Sequence, residues 1–251
     1  MASTPTSTID APTGGAASPE PAAPATVVAN PTAPATVAPA GRPPAVPAER
    51  LRRAFEQAIG FDAFLAGVAT HADEFAVALD RTALDDADRA LLATIPARVD
   101  VLAIVEDWCP DVVVTLPVVH RIAEASDRFD LHVLVRGPET RDVADAYPFE
   151  GRSHIPTYVV LNAEGDELGV LVERTPELGV AVGGLLDAFL AEHPGLDRAA
   201  FPAGLTDDAR ADLTRRSFAL RADLHELERR TLVRDLVAIA AGTAPTRPTA
   251  A

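Results

Sequence analysis

The sequence predicts an α/β domain in which a mixed β-sheet is flanked by helices, lengthened by extra helices at both ends and preceded by a disordered tail. Three observations carry this expectation. Val99–Val105 (VDVLAIV) is a nearly unbroken aliphatic run, as in a strand buried on both faces. Helical spacing follows it, and then a second aliphatic run, Leu131–Val135, which is the order of a parallel strand–helix–strand unit with a right-handed crossover. Thr157–Leu161 and Glu167–Val172 flank NAEGD, where Gly165 suits the positive φ of a hairpin turn.

The remaining elements follow in order. Residues 1–48 form an Ala/Pro/Thr-rich tract with half of the chain's 22 prolines and almost no charge. Such a tract has little large apolar surface to bury, so a disordered, partly extended spacer is expected. Residues 49–97 read as a helical extension, with Phe61, Phe64, Leu65, Val68, Phe75 and Leu79 on one stripe. A shorter helix runs from Leu84 or Asp85 to Leu92 and ends before Pro96.

The domain proper spans residues 98–195. After its first strand, Val113, Leu116, Val119, Ile122 and Ala123 line a helix over Pro110–Arg128. Thr140–Ala146 makes a short helix, and Pro176–Glu192 a longer one stopped by Pro194-Gly195. Residues 196–241 add an amphipathic stretch with Leu213, Leu220, Leu224 and Leu227 inward. Asp212/Arg216 and Glu226/Arg230 are i,i+4 pairs on its solvated face. Residues 242–251 are expected to fray.

Composition excludes several functions. A net charge of −15 and a pI near 4.7 argue against nucleic acid or an anionic membrane as partner. One cysteine makes neither an intrachain disulfide nor a Cys-based zinc site. His71, His120, His132, His154, His193 and His225 show no metal-ligand spacing, so no metal site is expected. Nucleotide-binding glycine motifs are absent. The first residues resemble no secretory signal, and no run approaches the ~18–20 apolar residues of a membrane span. A cytoplasmic location is the expectation; the oligomeric state is left open.

The chemistry centres on Glu106-Asp107-Trp108-Cys109-Pro110-Asp111-Val112, where a strand hands over to a helix. A thiol at a helix start feels unpaired N–H groups and the positive end of the dipole, which favour thiolate. Asp111 works against this. Pro117 follows inside the helix, Ile155-Pro156-Thr157 precedes the hairpin, and Glu173-Arg174-Thr175-Pro176 opens the last helix. Over residues 50–195 this pattern resembles the thioredoxin fold. It is most similar to bacterial thioredoxin-like proteins in which a helical extension precedes an E-D-W-C-x-D-C motif.

The resemblance implies a nucleophilic Cys109 shielded on one side by Trp108, with Pro110, Asp111, Val112 and Pro117 around it. It implies a cis Pro156 that turns the backbone N–H and C=O of Ile155 towards an extended substrate segment. His154 reads either as a group that approaches the sulfur or as a loop residue without a role, and Arg152 and Arg174 either as bordering the cleft, where they would favour an acidic or glutathione-like ligand, or as solvent-facing. Partners would be protein or small-molecule thiols and disulfides, glutathione among them, with no bound cofactor.

Two departures weigh against dithiol turnover. Val112 stands where the family has its resolving cysteine, and Ala103 where it has a buried acid on the preceding strand. Three readings stay open: thiol–disulfide exchange through Cys109 alone, resolved by an external thiol; a non-catalytic module that binds through the cis-proline surface; and a vestigial buried thiol.

Overall fold

The computed structural model describes residues 45–149, 152–197, 201 and 204–244. The tail read over residues 1–48 lies, up to residue 44, outside the described residues, as does the chain end from residue 245. Val46 is already buried, and α1 (Ala48–Gln57) starts just after it, so packed structure reaches into the segment read as tail.

The helical extension continues with α2 (Phe61–Gly67), α3 (Ala72–Arg81) and α4 (Asp86–Leu92). The stripe that reads as continuous is cut between α2 and α3, where His71 takes a left-handed φ of 60°. The cause lies far along the chain. Asp107 Oδ2 accepts the backbone N–H groups of Ala69 and Thr70 at 2.8 and 2.9 Å, which pulls this loop into place. Phe64 and Phe75 still meet edge to face at 5.9 Å, so the stripe keeps its packing although the helix breaks. Asp85 caps α4, and Asp88 returns the bond as a capping box.

The domain proper runs β1 (Val99–Val105), α5 (Pro110–Ala125), β2 (Phe129–Val135), α6 (Arg141–Ala144), β3 (Pro148–Phe149), β4 (Arg152–Ser153), β5 (Thr157–Asn162), β6 (Glu167–Val172) and α7 (Pro176–Glu192). Its main sheet has the order β2-β1-β5-β6, with β2 parallel to β1 and the other pairs antiparallel. β3 and β4 form a separate two-stranded ladder. The central position of β1 explains its sequence: Val101–Val105 are fully buried. At the β5–β6 turn Gly165 has φ 85°, and Asn162 Oδ1 accepts the N–H groups of Glu164 and Asp166 at 3.0 and 2.8 Å.

The C-terminal stretch is two helices, α8 (Asp207–Asp223) and α9 (His225–Ala240). Its inward face differs from the expected one. Leu213 is buried, but Leu220, Leu224 and Leu227 are half-buried, and α9 turns Leu232, Val233, Leu236 and Val237 inward onto α5, α4 and the sheet. Asp212 pairs with Arg216 at 2.8 Å as expected, whereas the Glu226 carboxylate binds Arg229 at 2.7 Å rather than Arg230. Arg221, Glu228 and Arg229 are buried, so the arm docks through charge as well as through aliphatic side chains. Among the described residues, no helix is long and apolar enough to cross a membrane.

Arg229 shows what that docking involves. Its guanidinium meets Asp88, which is buried, together with Asp85 and Glu226, both at 2.7 Å. Arg229→Ala leaves Asp88 without its cation, and we expect a loss of about 3 kcal/mol in urea unfolding. A loss below about 0.5 kcal/mol, the size of a surface substitution, would contradict this account.

Candidate functional site

Cys109 is the N-cap of α5, and Pro110 is its first residue, where a missing N–H costs nothing. The sulfur is 3% exposed, and its thiol donates to the Ile155 carbonyl at 3.4 Å. The Ile155–Pro156 peptide is cis, and both residues are buried. The carbonyl that the resemblance would offer to a substrate is therefore occupied by the protein's own thiol. Burial pushes the thiol up to about 12, Asp111 and then Glu173 add to the rise, and the N–H groups of Val112 and Asp111 oppose it. The expected preference for thiolate is thus reversed. The helix-start amides are present, but desolvation and two nearby carboxylates outweigh them.

Asp111 is itself buried at the first turn of α5. Arg174 donates to it through Nε at 3.3 Å and through Nη2, and Arg221 donates to it through Nη1. Arg221 also reaches Glu228, with Nε 2.9 Å from Oε2. Burial alone would raise the Asp111 carboxyl, but the two guanidiniums hold it at about 2. Arg174, expected to face a ligand, is instead 1% exposed and bound to Asp111, because a buried carboxylate beside it needs a cation. Beneath the thiol, Tyr158 and Thr115 share a hydroxyl–hydroxyl bond of 2.6 Å, and burial pushes the Tyr158 phenol up.

His154 is buried but does not serve the sulfur. Its Nδ1 lies 3.1 Å from Glu173 Oε1 and its Nε2 is 3.2 Å from the Phe149 carbonyl, so both ring nitrogens are occupied. Glu173 itself is 2% exposed and takes a left-handed φ of 64°. Val112 and Pro117 are fully packed inside α5. Trp108 is half-buried, donates through Nε1 to Glu106, and lies 6.0 Å beneath the Arg136 guanidinium, which binds the same Glu106. Arg152 is exposed on β4. His120 stacks on Phe61 at 3.8 Å between ring centres.

The family model described as Thioredoxin matches residues 58–185, just over half of the chain. The chain belongs to the thioredoxin family. Among solved structures, it is similar to a protein of unknown function from Pseudomonas aeruginosa, with 23% identity, a TM-score of 0.52, and 77% of this chain and 98% of that chain covered. An HIV epitope-scaffold matches with 24% identity, a TM-score of 0.50 and the same coverage. At such identities these neighbours speak for the thioredoxin-like fold alone. No curated protein matches the chain.

Within this thioredoxin-family site, sequence reasoning missed Glu173, Arg221, Glu228 and Tyr158. Glu173 was in view beside Arg174, but nothing in the pattern signals that it turns inward. At the other end of the sheet, β-pairing brings Asp100, Asp130 and His132 within 4.8 Å of one another, which histidine spacing could not reveal. Arg98 already meets that group, 2.6 Å from Asp130 Oδ2.

The low carboxyl of Asp111 fixes a pH dependence. A depressed folded-state value stabilises the fold above the ordinary carboxylate range and loses that contribution as pH falls through it, here from about 4 towards about 2. Asp111→Asn, which strands two buried guanidiniums, is expected to cost about 3–5 kcal/mol at neutral pH and to flatten acid unfolding in that window, read by circular dichroism. Unchanged stability at pH 7 would refute the ion pairs described above.

Proposed function

We propose that this thioredoxin-family protein works by binding: it docks a partner polypeptide on the face around Trp108 and the Ile155–Pro156 loop, and it keeps Cys109 as a sheltered thiol rather than a turnover nucleophile. The observation that supports this most is the sulfur's position, 3% exposed and donating to the Ile155 carbonyl, with Asp111 and Glu173 opposing its ionisation. A thiol attacks a disulfide as thiolate, and at neutral pH this one is almost entirely protonated. Val112 supplies no second sulfur to release a mixed disulfide. Trp108, held by Glu106 and Arg136, offers a rigid aromatic anchor of the kind that concentrates binding energy.

Exchange through Cys109 alone, with glutathione or a protein thiol as the resolving partner, is the second reading. The N-cap position of Cys109 favours it, with the N–H groups of Asp111 and Val112 acting on the sulfur. That chemistry requires the Ile155 loop to leave the thiol first.

Iodoacetamide labelling of the native protein separates the two. Binding with a sheltered thiol predicts little labelling at pH 7–8 and a rise only in strongly alkaline solution, with the same partners retained by wild type and Cys109→Ser and lost by Trp108→Ala. An apparent thiol pKa clearly below the free value of ~8.5 would overturn it in favour of exchange.

A further inference from the structure

The helical extension and the C-terminal arm both pack on α5, and they leave a cleft between themselves. α3 forms one wall, α8 and the start of α9 the other, and α5 the floor. The space is about 230 Å³, lined by Val77, Ala78, Val114, Phe218, Ala222 and His225. Its aliphatic side chains are unusually open. The other valines of α5 are fully buried, whereas Val114 is half-buried, and Val77 on α3 is 54% exposed. A cleft between helices with apolar walls and few polar groups is the usual form of a small-molecule site.

The polar groups on these walls differ in what they have left to offer. Arg221 borders the cleft, but its Nε and Nη2 are bound to Glu228 and its Nη1 to Asp111. His225, the first residue of α9, is not satisfied in this way. Its Nε2 is shielded from solvent and has no hydrogen-bond partner among the described residues. Burial, and after it Arg81, push the imidazole below its ordinary range, so the ring is neutral at pH 7. Buried polar atoms are almost always bonded, so an unbonded one on a cavity wall points to a polar atom of a guest.

Size, charge and hydrogen bonding together define that guest. An apolar cavity of roughly 150 Å³ already holds benzene, so this one takes a single ring with room for a substituent. Asp73 and Glu74 stand exposed at one end of the cleft and Arg81 about two turns further along α3. Neither sign of charge is favoured over the whole length, which suits a neutral molecule. A neutral imidazole presents a lone pair or a proton at Nε2 according to its tautomer, and a hydroxyl pairs with both. Phe218, whose ring meets His71 edge to face at 5.2 Å, adds an aromatic wall.

We propose that the cleft between α3 and α8 binds a small neutral ring compound bearing a hydroxyl group, of the phenol or cyclic-alcohol class. The ring lies against Val77, Val114 and Phe218, and the hydroxyl bonds to His225 Nε2. Neither Trp108 nor Cys109 lines this cleft, so the site goes beyond the docking face proposed above and stands or falls independently of it.

NMR titration of the full chain with phenol and with toluene tests this, read on the methyl signals of Val77, Ala78, Val114 and Ala222. Phenol should shift these signals saturably and bind roughly three- to tenfold more tightly than toluene, the net worth of one hydrogen bond. His225→Leu should erase that preference. Ala222→Leu, at an exposed position of α8, should fill the cleft and abolish saturation by either probe, so the misfolding of one variant leaves the other to decide. An absence of saturable shifts with phenol, or equal affinity for the two probes in wild type, overturns the site. So does a preference that survives His225→Leu, or phenol binding that survives Ala222→Leu unchanged.

Discussion

The Asp111 carboxylate, held between Arg174 and Arg221, is the interaction on which the rest of this site depends. It joins three parts of the chain that are distant in sequence: the start of α5, the link from β6 to α7, and the C-terminal arm. A buried carboxylate without a cation costs several kcal/mol, so each part is required in the presence of the others. The ion pairs need not add net stability over a well-packed apolar contact. What they impose is direction, because a guanidinium meets a carboxylate in a planar geometry that aliphatic side chains do not demand.

The thiol inherits its character from this arrangement. A helix start contributes a partial positive charge worth a kcal/mol or so, which falls off within the first turn. Against it stand removal from water and the negative charges of Asp111 and Glu173. The two arginines neutralise much of Asp111, and both guanidiniums are engaged by buried carboxylates. A reactive cysteine needs the opposite environment, electropositive and partly open. The same scaffold position can therefore carry a nucleophile or a sheltered thiol, and the sign is set by neighbours on other elements.

The sheet, the long helices and the hairpin were legible because their signals are local. An aliphatic run, a 3.6-residue period and an Asn-to-Gly turn each need only a short window. The thiol at a helix start and the cis Ile155–Pro156 bond are likewise tied to short sequence motifs. What local pattern could not show was direction. Whether Arg174 and His154 face solvent, sulfur or a buried acid depends on elements distant in sequence, as the bond from Arg221 to Asp111 across 110 residues illustrates. The break between α2 and α3 was hidden likewise, since apolar spacing continues across it and only Asp107 reveals the turn.

The Glu-Asp-Trp-Cys run gains a structural meaning from these placements that a catalytic reading overlooks. Glu106 gathers Trp108 and Arg136, Asp107 fastens the helical extension, and Asp111 fastens the C-terminal arm. Each acid in and just after the motif binds a different element, so the motif is where the two extensions and the core are tied together. Val112 takes part in none of these bonds, because it packs inside α5 as an ordinary core residue. The fold alone therefore accounts for Trp108 and its acids, and their presence is not by itself a sign of redox activity. The sulfur adds a bond of its own, to the Ile155 carbonyl, which an apolar residue of the same size would not make.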